Sequence, residues 1–191
     1  MYIKYRLYNI SGKNYIRNDV LLNIFTNFFS ISRTSEIKKF VEDNIVSIQP
    51  SHRKNMLAYA NALMCFENKD FAHSLKNATL IKSNTQLYKD AIKILTLKNH
   101  FELKNYEIAR ECVNSYHNYL NEKKNITEIR RQKRLKFLNY YNMLWKHFEG
   151  KKVQLSLKEL EAEISKDNTF TESKWILEKV KELSAVNAKK Y

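Results

Sequence analysis

The sequence predicts an all-α protein: a right-handed solenoid of paired antiparallel helices. Three observations predict it. Apolar residues recur at spacings of three and four, which gives each helix one buried stripe. The 191 residues include only 2 Gly and 1 Pro, against usual shares of about 7% and 5%, and strand hairpins normally recruit Gly for turns with positive φ. Finally, similar helix starts return every 34–35 residues.

The elements follow in order. Residues 1–10, MYIKYRLYNI, fit a short strand or a helix. We read a helix, ended at Ser11-Gly12. Residues 1–17 are thus expected to be the remnant of an upstream repeat, and the abrupt start suggests the C-terminal piece of a longer protein. Asn18-Asp19 caps a helix to Phe29, with Val20, Leu21, Ile24, Phe25, Phe28 and Phe29 on its apolar side. Thr34-Ser35-Glu36 opens the next, which carries Ile37, Phe40, Val41, Ile45 and Ile48 and stops before Pro50. Ser51 is expected to cap a helix to Glu67, in which Ala58, Ala60 and Ala62 interleave with larger residues. Asn68-Lys69-Asp70 turns the chain into a helix over 71–81.

The stretch 84–122 holds the clearest pair. Leu87, Tyr88, Ala91, Ile94, Leu95, Leu97 and Phe101 make one stripe. Leu103-Lys104-Asn105 breaks it, and Tyr106, Ile108, Ala109, Val113, Tyr116, Tyr119 and Leu120 make a second. Neither stripe can be buried alone, so the pair must pack on itself and on neighbours. After Asn121 the spacing changes. A polar linker leads to a long helix over 128–148, a turn at 149–152, a shorter helix over 153–164, and a last helix capped by Thr171 that holds Trp175, Ile176, Val180 and Leu183. The final residues should fray.

Ile37, Phe71 and Tyr106 each follow an inter-helix turn, at steps of 34 and 35 residues, within SEIKKF, KDFAHSL and KNYEIAR. This pattern over 18–122 resembles a divergent tetratricopeptide repeat. The repeat's first-helix Gly is replaced by Ala62 and Leu97, and its closing Pro is approximated only by Pro50. The last third, KNITEIRRQKRLKFLNYYNMLWKHFEGKKV followed by LKELEAEI and ESKWILEKVKEL, resembles the C-terminal end of uncharacterised bacterial tetratricopeptide-like proteins. The resemblance implies a cytoplasmic α-solenoid with repeats over 18–122 and capping helices over 123–191, and no known activity. An array needs an end with a polar outer face. Glu159, Glu161 and Glu163 beside the basic helix would suit it.

Composition narrows the function. Apolar residues make up 43% of the chain, enough for a core. No run of about 18 apolar residues exists to span a membrane, and Lys4 and Arg6 interrupt any signal-peptide core. Cys65 and Cys112 sit on apolar helical faces, as buried thiols of a reduced cytosolic protein do. His52, His73, His100, His117 and His147 are scattered, with no metal-binding spacing. Two glycines build neither a phosphate-binding loop nor a nucleophile elbow. Arg110 and His117 share a helix face seven residues apart, the spacing of an Arg–His pair in some helical RNases. Arg would hold the phosphate and His would move the proton, but no second catalytic feature accompanies them. The expectation is a non-enzymatic protein with no metal and no cofactor.

The net charge is +14, from 34 basic and 20 acidic residues. The densest excess is 121–150, with eight basic and three acidic residues. A low-GC coding bias toward Lys and Asn can produce such an excess without function. Lys123, Lys124, Arg130, Arg131, Lys133, Arg134 and Lys136 could meet phosphates, with Phe137, Tyr140 and Tyr141 stacking bases. They could equally be solvated, pair within the fold, or meet an acidic protein. Cations at a helix N-terminus oppose its dipole, so some anionic partner is expected. In tetratricopeptide arrays the first helix of each pair lines the groove. That alignment places Phe25, Phe29, Tyr59, Leu63, Phe66, Ile94, Lys98 and Phe101 there. The Lys/Asn clamp some members use for a peptide carboxylate is replaced by Tyr59-Leu63 and Ile94-Lys98, which favours a hydrophobic or extended segment. The leading expectation is a protein–protein interaction scaffold that binds a protein or peptide in this groove. The alternative is RNA binding through the basic helix 123–136.

Overall fold

A computed structural model describes residues 15–30, 34–82, 86–123, 126–167 and 172–188. The expected helix over 1–10 and the Thr171 cap lie outside them. The described residues form α1 (Asn18–Ser30), α2 (Thr34–Asp43), α3 (Pro50–Glu67), α4 (Phe71–Thr79), α5 (Gln86–Glu102), α6 (Tyr106–Glu122), α7 (Glu128–Phe148), α8 (Leu157–Lys166) and α9 (Ser173–Ala188). Among the described residues the regular elements are all helical. Among the described residues, extended pairing is limited to one parallel bridge between Ile16 and Ile48. The chain divides into two compact units between Asn105 and Tyr106.

In the first unit each helix packs on the next, from α1 to α5. Ala60 and Ala62 are fully buried on α3, and small residues let α4 approach closely. The Ser74 hydroxyl on α4 donates to the Ala62 carbonyl at 2.8 Å, and Asn99 on α5 donates to Ser74 Oγ at 2.9 Å. Ser74 and Asn99 are both fully buried. This polar thread joins three helices in the buried interior, so each bond counts for more than it would at the surface. α1 also touches α5. These are the first helices of alternate pairs, which in an open array would not meet, because each repeat contacts only its neighbours.

In the second unit α7 is central, with α6 and α9 packed on it and α8 on α9. Phe137, Leu138, Tyr140, Tyr141, Leu144 and Trp145 bury one side of α7. The Tyr141 and Trp175 rings stack at 6.1 Å between centroids, joining α7 to α9.

One helix ending appears three times. At the end of α3, Lys69 N–H donates to Phe66 O and Asp70 N–H to Cys65 O, at 3.0 and 2.8 Å. At the end of α5, Lys104 N–H donates to Phe101 O and Asn105 N–H to His100 O, at 3.0 and 2.9 Å. At the end of α7, Gly150 N–H donates to His147 O and Lys151 N–H to Lys146 O, at 3.1 and 2.9 Å. Each is a Schellman cap, with one residue in the left-handed region closing the last carbonyls. That residue has φ of 62° at Lys69, 58° at Lys104 and 70° at Gly150. Two of the three caps therefore use lysine where glycine would be unstrained.

Three helix ends differ from expectation. α2 stops at Asp43, and a 3-10 turn at Ile45–Ser47 carries the chain on. Ile48 leaves the helix to bridge Ile16, whose N–H donates to Ser47 O at 2.7 Å. Pro50 then opens α3 behind the N-cap Gln49, so Ser51 is no cap. Proline fits there because a first-turn N–H has no intrahelical partner to lose. α8 starts at Leu157 rather than 153, because Ser156 and Glu159 form a capping box.

The lysine caps make a stability prediction. Lys69→Gly and Lys104→Gly should each raise unfolding stability, by about 0.5–1 kcal/mol. Gly150→Ala should lower it by about 1 kcal/mol. A Cβ at Gly150 would meet nothing within 4 Å, so that cost is backbone strain alone. Urea unfolding of the three variants checks the opposite signs.

Candidate functional site

The basic helix is the first candidate. Arg131 turns back to the end of α6, where its guanidinium donates to the carbonyls of Leu120 and Lys123. It also pairs with Glu128 at 3.3 Å. A cation at a helix C-terminus is favoured by the dipole, so Arg131 caps α6 instead of opposing α7. Arg134 Nη1 donates to both oxygens of Glu172, at 3.0 and 3.2 Å. Lys136 pairs with Asp167. Both acids are more than nine-tenths buried, and they flank the segment between α8 and α9. The basic helix thus holds the two ends of that connection.

Of the seven predicted cations, Arg131, Arg134 and Lys136 are thus committed within the fold. Lys123 and Lys133 are exposed, Arg130 is half-buried, and Lys124 lies outside the described residues. The aromatics named for base stacking, Phe137, Tyr140 and Tyr141, are core residues with at most 1% exposure. Tyr140 donates to Glu163 at 2.8 Å. Burial, followed by Glu163, pushes its phenol well above the ordinary tyrosine range. On α8, Glu159 caps its own helix and Glu161 lies 3.8 Å from Lys181. Asp167 and Glu172, outside α8, pair with the basic helix.

The expected groove residues all belong to the first unit, and they pack inward. Phe25, Tyr59, Leu63, Phe66, Ile94, Lys98 and Phe101 are buried, and Phe29 is half-buried. Phe25 stacks on Tyr59 at 6.1 Å, and Phe29 meets Phe66 at 5.8 Å. The Lys98 ammonium lies 5.2 Å from the Phe29 ring centroid and 5.7 Å from that of Phe66. Side chains from α1, α3 and α5 therefore pack mostly against one another instead of facing solvent. The physical reason is the contact of α1 with α5, with the Lys98 charge held against two aromatic faces.

The remaining candidates resolve individually. Arg110 and His117 are used apart. His117 Nδ1 lies 3.1 Å from Asn121 Nδ2, and Arg110 lies over Trp145. Cys65 and Cys112 are half-buried, and burial pushes the Cys65 thiol up, away from nucleophilic use. Among the described residues, no group of three or more His, Cys, Asp or Glu side chains could hold a metal ion. Among them too, no helix is long and apolar enough to cross a membrane.

Two features escaped the sequence reading. One is the cluster around Trp145, with Arg110, Glu149 and Lys151. The other is the set of polar residues buried on α5, namely Asp90, Lys98, Asn99 and His100. The only sequence signal for the second was polar residues inside an otherwise apolar helix, and exposed helices show the same interruption. Comparison of the chain with protein-family models, with curated proteins and with solved structures finds no match.

Two predictions follow from the buried polar groups. Arg134→Ala leaves the Glu172 carboxylate buried and unpaired, and should cost about 3 kcal/mol. The double variant Arg134→Met with Glu172→Leu should recover most of that in urea unfolding. Burial lowers the pKa of His100, whose Nδ1 has no hydrogen-bond partner. Above about pH 6.5 both folded and unfolded states keep it neutral. As pH falls below that value the unfolded state takes the proton first, so stability should fall until the lowered folded pKa is passed. His100→Leu should flatten this acid limb in melts recorded across pH.

Proposed function

We propose that the chain is a non-enzymatic scaffold built on divergent tetratricopeptide-like repeats, and that it binds an acidic protein partner. The observation that carries the repeat reading is the lysine cap. The endings of α3 and α5 reproduce the same two hydrogen bonds and the same left-handed lysine at an offset of 35 residues. That matches the sequence period, and repeat arrays characteristically offer extended binding surfaces. The step from such a fold to a scaffold function is an analogy between architectures.

The partner's chemistry is argued from charge. The chain carries +14, and among the described residues many lysines, including Lys123, Lys133, Lys146 and Lys152, are exposed. A field of that sign favours association with acidic surfaces. The burial of most expected groove residues within the first unit moves the proposed contact from the groove to these outer faces. RNA binding through 123–136 has less support, since three of its seven cations are committed internally.

The test is affinity capture from lysate on the immobilised protein. A specific acidic protein should be retained, and retention should fall as salt is raised, because exposed charges are screened within about 10 Å at 0.1 M. The double variant Lys123→Glu with Lys133→Glu should weaken it. Repeated recovery of no specific protein, or of nucleic acid alone, would overturn the reading.

A further inference from the structure

In the second unit the Trp145 ring carries two cations. The Arg110 guanidinium lies 4.5 Å from the ring centroid and the Lys151 ammonium 5.5 Å. Their side chains keep 52% and 54% of their surface exposed. The Trp145 Nε1–H is buried and has no hydrogen-bond partner. That edge faces the interior, so the indole offers the exposed site its ring face, as a rigid floor for the two cations. Glu149 serves the two cations unequally, at 2.7 Å from Lys151 and 4.0 Å from Arg110. The second distance is too long for a hydrogen bond, so Glu149 leaves the donor fork of Arg110 unengaged.

We propose that Arg110, Lys151 and the Trp145 indole form a subsite for a phosphoryl dianion, with Glu149 as its internal competitor. A phosphoryl group brings close to two negative charges and three acceptor oxygens. It can accept from the arginine fork and the ammonium at once, where one carboxylate reaches only the ammonium. The cap at the end of α7 fixes the site. Gly150 in the left-handed region places Lys151 directly after it, with its N–H bonded to Lys146 O. The subsite does not depend on the scaffold reading, because a small ligand tests it in the absence of any protein partner.

The chain has two tryptophans. A Trp175→Phe background therefore isolates Trp145 emission, which is titrated with inorganic phosphate, phosphoserine and AMP at constant ionic strength. A saturable change is expected. Glu149→Gln should lower the half-saturation concentration, and Lys151→Ala raise it, each by at least about threefold, the scale of one partly exposed ion pair. The tightest of the three probes tells whether the group comes free, on a peptide side chain or on a nucleotide. Phosphorus NMR line broadening of inorganic phosphate by the unaltered protein repeats the test without a core substitution. No saturable response by either method, or a response unchanged in both Arg110→Ala and Lys151→Ala, would overturn the proposal.

Discussion

The way the long helices end organises much of this protein. α3, α5 and α7 each finish in the same pair of cap hydrogen bonds around one left-handed residue. The motif satisfies carbonyls that the helix leaves open and fixes where the chain goes next. With two glycines in 191 residues, the chain reaches this conformation twice through lysine, at a local steric cost. That cost is small beside what a misdirected connection would expose. The cap after α3 leads into α4, whose N-cap Asp70 accepts from His73 N–H at 3.2 Å and belongs to the same turn. One short segment thus ends one helix and begins another.

The interior adds polar links to this frame. Ser74 and Asn99 join α3, α4 and α5, and Arg134 and Lys136 join α7 to the two acids that bracket the α8–α9 connection. Buried links of this kind contribute less to stability than to the choice of one arrangement, since a shifted helix would leave charges or amides unpaired in the buried interior. They also account for part of the basic run. Arg131, Arg134 and Lys136 have structural anions or carbonyls as partners, which resolves the conflict between a cationic helix start and the helix dipole.

The repeat pattern and the packing point in different directions. The caps recur at the sequence period, as in an array. Yet Phe29, Phe66 and Lys98 meet, and α1 touches α5, contacts that an open array would not make. Small residues on α3 let α4 approach closely, and two phenylalanine faces accept the Lys98 ammonium. Most of the residues expected to line a groove are therefore buried within the first unit.

By itself the sequence determined the helices. The 3.6-residue stripes and the turns at 68–70 and 103–105 placed most of them within a few residues, because amphipathic spacing and helix breakers are local signals. It also determined the charge. It left undetermined which cations are spent inside the fold. Arg134 finds Glu172, and Lys136 finds Asp167, more than 30 residues along the chain. It also could not say that Phe25 would stack on Tyr59, or that Arg110 would lie over Trp145. Those outcomes depend on which helices meet and at what height. Tertiary packing decides that, since helical spacing specifies a buried face without specifying its partner.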